Sequence, residues 1–285
     1  MENVLDILIC PECKCKLSGD LKCNACGNQY SFKYGVYNII SSKLSVNQTI
    51  YWKITDEILE NEIEAQTQET NEDNWTRDYY NRKNQETKDA EKLHHEYMNN
   101  LITNLSGDVC DLATGMGGML EKLLNSSNKD FNIVCTDISD RILAWTRKIK
   151  PTDDNRVSYV ATDGRYMSIK DESFDYITSF AGFGNIPEGD KVAKELYRLL
   201  KPNGKIIIQG SYIQKGAKSF ELAKKHNLER GLVEDYLIED LKNAGFENIV
   251  STVVAEAVWA ENPYDLIPVA GDTQRYCIIQ AQRKR

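Results

Sequence analysis

The stretch VCDLATGMGG, residues 109–118, decides the fold of this chain. Its apolar start predicts a buried strand, and its glycines predict a turn whose backbone can approach a ligand closely. A phosphate-binding P-loop would end in Gly-Lys-Ser/Thr, and the MGGM that ends this turn contains no lysine. A dinucleotide fingerprint would read Gly-x-Gly-x-x-Gly, and the acidic Asp111 would lie unfavourably close to a pyrophosphate. An acid at this position suits a ligand that carries an ammonium group.

Two further aspartates end the next two predicted strands. Asp137 ends IVCTD, twenty residues after Gly117, where a carboxylate can accept hydrogen bonds from both ribose hydroxyls. Asp163 ends VATD, where it can accept from an exocyclic amine such as adenine N6. Together with Asp111, these acids match the ammonium, ribose and adenine of S-adenosylmethionine (SAM) along one crevice, rather than NAD.

Short apolar strands alternate with helical patterns from about residue 89 onwards. Such alternation predicts an α/β fold, with a mostly parallel Rossmann-like sheet and helices on both faces. The last two strands, NIVSTVVAEAVW and QRYCIIQAQ, have no clear helix between them and predict an edge hairpin. We therefore expect seven strands, of which the last is antiparallel.

Cysteines crowd the beginning of the chain. The segment CPECKCKLSGDLKCNAC contains two Cys-x2-Cys pairs, which offer four thiolates from two tight turns and suit tetrahedral Zn(II). The predicted ligands are Cys10, Cys13, Cys23 and Cys26. Cys15 is a fifth thiol outside the symmetric spacing, and we treat it as a bystander. We expect residues 1–40 to form a small zinc ribbon that serves either recognition or structure.

Charge is distributed unevenly over the 285 residues, which carry a net charge of −8. Residues 1–40 are neutral, residues 41–106 carry seven basic and thirteen acidic groups, and the remainder carries 24 and 26. No segment is strongly basic, which disfavours nucleic-acid binding. Residues 41–88 are polar and acidic, contain scattered aromatics, and predict a helical linker or lid. The opening MENVLDILIC matches neither a signal peptide nor a membrane span, so we expect a cytoplasmic protein with reduced cysteines.

Residues 89–285 resemble a class I SAM-dependent methyltransferase domain. DLATGMGG resembles motif I of that family, CTDIS resembles motif II, and ATDGRYMSIKDESFDYITSFAGFGNIP resembles the third and fourth blocks. ELYRLLKPNGKIIIQ and LKNAGF are similar to the late elements. The fourth block most resembles the branch that contains the ubiquinone and menaquinone methyltransferases.

This resemblance implies which residues contact SAM. The implied positions lie at the ends of the first four strands of the domain: Asp111, Ala113, Thr114, Gly115, Gly117, Asp137, Ile138, Asp163, Gly164 and Phe180. Ala113 departs from the family, which has glycine there, and slightly narrows the loop. The sulfonium methyl is already activated, so positioning can carry catalysis, and the sequence indicates no catalytic residue. Asn185 could bind substrate or form a turn, and Tyr79 and Tyr80 could cover the cofactor.

The acceptor remains open between classes. A zinc ribbon before a class I fold resembles the bacterial enzymes that methylate guanine N1 of 23S ribosomal RNA, in which the ribbon helps to bind RNA. The acidic charge favours a small molecule or modified peptide instead. A third interpretation is a non-catalytic SAM-binding scaffold. The sequence indicates no membrane partner and leaves the oligomeric state open.

Overall fold

The computed structural model describes residues 4–42, 53–150 and 155–285. Within these ranges a mixed sheet of nine strands forms the centre of the molecule. In chain order the strands are β1 (Ser31–Lys33), β2 (Val36–Asn38), β3 (Gly107–Leu112), β4 (Phe131–Asp137), β5 (Val157–Ala161), β6 (Phe174–Phe180), β7 (Leu200–Ile213), β8 (Phe246–Val258) and β9 (Thr273–Arg283). Their spatial order is β1-β2-β5-β4-β3-β6-β7-β9-β8.

Strands β3 to β9 form the sheet that the alternating sequence pattern predicts. β3 to β7 are parallel, and β9 is antiparallel to both of its neighbours, β7 and β8. The predicted mostly parallel sheet with an antiparallel last strand is therefore confirmed. Because β3, β4 and β5 are adjacent and parallel, their carboxyl ends meet at one edge, where α/β proteins bind ligands.

The predicted total of seven strands is wrong, because two more strands come from the N-terminal segment. β1 and β2 form an antiparallel hairpin, and β2 pairs in parallel with β5, with Val36 opposite Tyr159. The hairpin satisfies backbone groups along the outer edge of β5 that would otherwise lack partners. The paired residues are far apart in the sequence, so no local pattern predicts this contact.

Helices cover both faces of the sheet, as predicted. They are α1 (Asp56–Glu60), α2 (Glu62–Arg82), α3 (Gln85–Ile102), α4 (Gly118–Asn125), α5 (Asp140–Ile149), α6 (Gly189–Leu199), α7 (Lys218–Lys225), α8 (Glu229–Leu232) and α9 (Glu234–Ala244). α3, α4 and α5 bury their apolar faces on one side, around Val109, Ile133 and Trp145. α6 and α9 pack on the other side, around Ile177 and Ile206. None of the helices in the described ranges is long and apolar enough to cross a lipid bilayer.

The N-terminal segment packs directly on the central sheet. Leu8 and Ile39 are completely buried in the same apolar cluster as Met167 and Ile169, which follow β5. Leu8 also forms an isolated antiparallel bridge with Ile169. The segment therefore shares a core with the sheet instead of forming one of its own.

Helix α2 lies in the region predicted as a lid, and aromatic contacts attach it to the connection between β8 and β9. Trp75 stacks on Tyr79 with ring centroids 5.1 Å apart, and its ring lies 5.3 Å from that of Tyr264. The Tyr264 hydroxyl donates to Asp78 of α2 at 2.6 Å. Residues 43–52, the earlier part of the predicted lid, lie outside the described residues, and so do its aromatics Tyr51 and Trp52.

Candidate functional site

The loop after β3 has the backbone conformation that its glycines predict. Gly115 and Gly117 have φ values of +51° and +81°, in the left-handed region that favours glycine. A Cβ added to Gly115 would meet nothing closer than the Ala113 carbonyl oxygen at 4.0 Å. The loop therefore leaves open space above Gly115 for a ligand. The buried Thr114 anchors it, because its N–H donates to the Thr136 carbonyl of β4 at 2.8 Å.

Ala113 also adopts a left-handed conformation, with φ of +53°, which disfavours any residue with a Cβ. Gly182, after β6, lies directly against it. A Cβ added to Gly182 would come within 2.7 Å of the Ala113 Cβ and 2.6 Å of its carbonyl oxygen. The methyl group of Ala113 thus fits because Gly182 has no side chain. The first glycine of AGFGNIP, Gly182, is the sequence feature that indicates this close approach, but its role was not predicted from the sequence.

Asp111 is 1% exposed and lies at the carboxyl end of β3. Among the described residues, neither of its carboxylate oxygens has a hydrogen-bond partner. The Thr114 hydroxyl donates to the Asp111 backbone carbonyl at 3.1 Å, and its closeness lowers the pKa of the carboxyl by less than burial raises it. Burial raises the pKa of this carboxyl to about 8. A buried acid without a partner is costly unless a donor or cation completes the site.

Asp137 connects the first two loops of the crevice. One carboxylate oxygen accepts from the Gly115 N–H at 3.0 Å, and the other accepts from the Ser139 N–H at 3.0 Å. Burial raises the pKa of this carboxyl, whereas those two hydrogen bonds lower it. Each carboxylate oxygen can accept a second hydrogen bond, so the pair of ribose hydroxyls still has acceptors available. Ile138, the next residue, is half-buried.

Asp163 follows β5 and is 4% exposed, but Arg165 engages its carboxylate. Arg165 donates its N–H and Nε–H to one oxygen at 2.8 and 3.0 Å, and its guanidinium NH2 group donates to the other at 2.7 Å. The same guanidinium reaches Glu188 at 2.8 Å. Sequence reasoning did not anticipate this ion pair. Of the predicted acids, it leaves Asp111 as the one whose carboxylate has no protein partner in the described chain.

Phe180 ends β6 and packs over the start of α4. A Cβ added to Gly118 would lie 3.1 Å from its ring. The ring of His95, on α3, meets Phe180 edge to face with centroids 5.1 Å apart. Lys122 of α4 lies 5.4 Å from the centre of the Phe180 ring. Burial lowers the pKa of His95 to about 4, so its imidazole is neutral at physiological pH.

A buried carboxamide lies beside this aromatic group. Gln209 on β7 is in register with Phe180, so the two side chains leave the sheet on the same face. Gln209 is 2% exposed, and within the described ranges its amide nitrogen and oxygen have no hydrogen-bond partner. His95 and Gln209 were missed because one reads as an ordinary helix residue and the other interrupts an apolar strand. Their placement depends on pairing between distant segments.

The remaining predicted residues lie around the same edge. A Cβ added to Gly164 would come within 2.9 Å of Ile186, so the chain passes closely there. Asn185 is exposed, and its side-chain amide donates to the Ala181 carbonyl at 3.2 Å, which is a turn-stabilising contact. Tyr79 donates to Asp265 at 3.2 Å. The predicted site residues thus surround the carboxyl ends of β3 to β6, while Asn185 and Tyr79 have structural contacts.

The four predicted cysteine ligands converge within the N-terminal segment. The sulfur atoms of Cys10, Cys13, Cys23 and Cys26 all lie within 4.8 Å of one another. The Cys10 and Cys26 sulfurs are 3.5 Å apart, and those of Cys13 and Cys23 are 3.4 Å apart. Sulfurs of a tetrahedral zinc site lie about 3.8 Å apart, given Zn–S bonds of about 2.3 Å. The cluster therefore has the ligand number and size for one metal ion. Cys15 is outside it.

The chain is similar to known methyltransferases in sequence. The sequence model of the ubiE/COQ5 methyltransferase family matches residues 85–224. The ubiquinone/menaquinone biosynthesis C-methyltransferase UbiE of Rickettsia prowazekii (strain Madrid E) is 30% identical over 122 residues, which are 40% of this chain and 49% of that protein. UbiE of Rickettsia bellii (strain OSU 85-389) is 29% identical over 178 residues, which are 52% of this chain and 71% of that protein. The match thus spans about half the length of the first relative.

A solved structure shares the fold. Phosphoethanolamine N-methyltransferase 2 of Haemonchus contortus, solved with phosphomonomethylethanolamine and S-adenosylhomocysteine, superposes with a TM-score of 0.52 at 20% sequence identity. The superposition covers 66% of this chain and 53% of that one. At this identity the likeness establishes the fold. The family match covers residues 85–224, just under half of the chain.

Proposed function

We propose that the protein binds SAM at the carboxyl ends of β3, β4 and β5 and transfers its methyl group to a small-molecule acceptor. The observation that carries the proposal is Asp111, a buried acid without a hydrogen-bond partner in the described residues, in the strand that leads into an open glycine loop. A ligand with an ammonium group would stabilise the ionised form of this acid. SAM has that group, and the relatives named above are methyltransferases.

In this proposal each residue holds a defined part of the cofactor. Asp111 accepts from the ammonium group, and Asp137 accepts from the two ribose hydroxyls. Gly115 allows the backbone to approach, since no side chain fills the space above it. Asp163 receives three hydrogen bonds from Arg165, which leaves an acceptor position on its second oxygen for the adenine amine. SAM supplies an activated sulfonium methyl group, and the chain supplies orientation and exclusion of water.

The acceptor would lie beside Phe180, between α3 and the sheet. Phe180 offers an aromatic face, Gln209 offers an unpaired amide donor and acceptor, and His95 offers a neutral imidazole. These groups suit a compact, partly apolar ring that carries hydroxyl or carbonyl oxygens. The relatives named for ubiquinone and menaquinone biosynthesis favour such a ring, methylated on carbon. Helix α2 and the loop after Phe180 would cover it.

We also propose that the four-cysteine cluster holds one Zn(II). Two tight turns bring the four thiols within bonding distance of a single ion, and thiolates are preferred zinc ligands. The ion would be structural, because all four coordination positions are taken by protein sulfur and none is left for a substrate.

The cofactor assignment is tested with Asp137→Ala. This change removes a charged acceptor for two ribose hydroxyls and also frees the Gly115 and Ser139 N–H groups. We expect the variant to bind SAM more weakly by about 2–4 kcal/mol in isothermal titration calorimetry. Asp130→Ala is the matched control, because Asp130 is exposed and precedes the opposite end of the same strand. Equal SAM affinities for both variants would refute the assignment.

The acceptor class is tested by following label from methyl-labelled SAM. We expect transfer to a low-molecular-weight compound in a metabolite extract that includes reduced, demethylated quinols. Unmodified 23S ribosomal RNA is incubated in parallel, at physiological salt. Label in a guanine of the RNA would favour the ribosomal alternative, and SAM binding without transfer to either pool would favour a non-catalytic scaffold.

A further inference from the structure

We propose that metal binding at the four-cysteine cluster and SAM binding in the crevice are thermodynamically linked, with Ser168 as the positioning residue between them. This inference rests on the proposed SAM site. It assigns the N-terminal segment a role in holding the cofactor loops, in addition to any contact with an acceptor.

Ser168, which lies after β5, is the point where both ends of the N-terminal segment attach. Its carbonyl accepts from the Ile9 N–H at 3.0 Å, and Ile9 directly precedes the first metal ligand, Cys10. Its hydroxyl donates to the Ile39 carbonyl at 2.6 Å, and Ile39 directly follows β2. Ser168 is 1% exposed, so water cannot readily replace these partners. The segment is therefore fixed to Ser168 from both sides of the cysteine cluster.

Ser168 in turn contacts the part of the chain that positions two predicted cofactor acids. Its N–H donates to the Thr162 hydroxyl at 2.9 Å, and Thr162 directly precedes Asp163. The Thr162 N–H donates to the Asp137 carbonyl at 2.8 Å. A short series of buried hydrogen bonds thus joins the N-terminal segment to the backbone of both Asp137 and Asp163.

The hairpin makes a second, separate contact with the crevice. The side-chain amide of Asn38 on β2 donates to Asp140 at 3.0 Å, at the start of α5. A Cβ added to Gly35, in the hairpin turn, would come within 2.5 Å of Arg147 on the same helix. Because α5 begins three residues after Asp137, the hairpin also supports the helix that follows the ribose-binding loop.

Backbone hydrogen bonds close each cysteine turn, with the Lys14 N–H donating to Cys10 and the Gly27 N–H donating to Cys23 at 2.8 Å each, and a metal ion would join the two turns to each other. The isolated bridges Ile9–Lys16, Leu17–Cys23 and Lys22–Gln29 are the β-pairings recorded within residues 4–30. Within its described residues, the segment has no core of its own apart from the one that it shares with the sheet, so metal binding would contribute to its folding free energy. Losing the metal would loosen Ile9 and the hairpin, and with them the partners of Ser168 and Asp140.

The experiment measures SAM affinity by calorimetry for the zinc-loaded protein and for the protein stripped by a chelator. We expect stripping to weaken SAM binding by about 5- to 150-fold, the usual range for coupled sites. Linkage is reciprocal, so saturating SAM should raise zinc affinity, measured by chelator competition, by the same factor. Equal SAM affinities for the two folded forms would overturn the linkage. A zinc-loaded protein that does not bind SAM would overturn the proposed function instead.

Two serine variants separate positioning from general stability, with no change to the cysteines. Ser168→Ala should retain one zinc per chain yet bind SAM about fivefold more weakly or worse. Ser173→Ala is the control, since the Ser173 hydroxyl donates only within its own loop, to the Lys170 carbonyl at 2.7 Å. If chelation unfolds the chain, as circular dichroism would show, the SAM affinities of the two serine variants test the role of Ser168 without removal of the metal. SAM affinity equal in both variants would overturn the proposed role of Ser168.

Discussion

At the scale of single residues, Asp111 and Ala113 both carry a free-energy cost that the rest of the protein does not remove. Asp111 is a carboxylate buried without a described partner, and Ala113 holds a left-handed backbone. Such costs are retained where they serve binding, and Asp111 lies at the end of β3 while Ala113 begins the loop that would face the cofactor. A substitution at either residue is therefore expected to change stability in the opposite direction from an ordinary substitution.

Asp111→Asn should raise stability in a pH-dependent way. The pKa of Asp111 is about 8 in the folded protein and about 3.9 when unfolded. The folded state therefore keeps a proton that the unfolded state releases, and stability is lost as pH rises from about 4 to about 8. Asparagine cannot ionise, so we expect the melting temperature of the variant to exceed that of the parent increasingly up to pH 8 and then by a constant amount. Asp130→Asn is the control, because Asp130 is exposed, and its melting temperature should show no such pH dependence. The same lack of pH dependence in Asp111→Asn would mean that the Asp111 carboxyl is paired.

Ala113→Gly should not destabilise the protein, although alanine-to-glycine changes usually do. Glycine removes a left-handed cost of about 1–2 kcal/mol, and this offsets the greater freedom of the unfolded chain, about 0.4–1 kcal/mol. Ala193→Gly, in the middle of α6, should lose at least about 1 kcal/mol, because it lowers helix propensity and also removes a buried methyl group. Chemical denaturation of both variants measures the contrast. A loss at position 113 equal to that at 193 would contradict it.

At the scale of elements, local pattern predicts strands and helices well and predicts their partners poorly. The alternating runs around Asp111, Asp137 and Asp163 identify three parallel strands, because each run is short, apolar and followed by a turn. The contact between Arg165 and Asp163 was not expected. Side chains two residues apart can meet or point away from each other, and the conformation of the loop determines which occurs. The polar α2 was expected to cover something, but its contact with Tyr264 joins segments far apart in sequence.

Tyr264→Ala should release α2 without disturbing the sheet. The change removes a ring contact with Trp75 and the hydrogen bond to Asp78, contacts worth about 1–2 kcal/mol together. We expect amide hydrogen exchange within α2 to become about tenfold faster or more, while exchange in β3 and β6 is unchanged. Tyr80→Ala is the control on the same helix, because its side chain is 50% exposed. Uniform acceleration throughout the protein would instead indicate a global loss of stability.

At the scale of the whole molecule, the sequence predicts the sheet and the cysteine cluster but not how they combine. Each Cys-x2-Cys pair is a local pattern whose turn geometry follows from its spacing, and the presence of strands β3 to β9 follows from alternation. The parallel pairing of β2 with β5 and the shared core depend on surfaces that exist only after folding. The nine-stranded sheet could not be predicted for that reason.

Purified protein should contain about one zinc per chain. Cys13→Ser should lose it, because the Cys13 sulfur lies 3.4 Å from that of Cys23 within the cluster. Cys15→Ser should keep it, because the Cys15 thiol points instead toward the Cys13 carbonyl, at 3.7 Å. Elemental analysis of protein prepared under reducing conditions measures both. Zinc loss in the Cys15 variant would mean that the ligands are assigned incorrectly.

The pairing of Val36 with Tyr159 also sets an order of events during synthesis. Roughly 120 residues separate the two strands, so a ribosome that adds about 5–20 residues per second makes the hairpin about 6–25 seconds before its neighbour exists. During that interval the emerging segment has its cysteines but no sheet to pack on. If the segment binds metal during that interval, the folded hairpin is ready to pair with β5 as soon as β5 is synthesised. Without metal, the outer edge of β5 would stay unpaired while the new chain is most prone to aggregate.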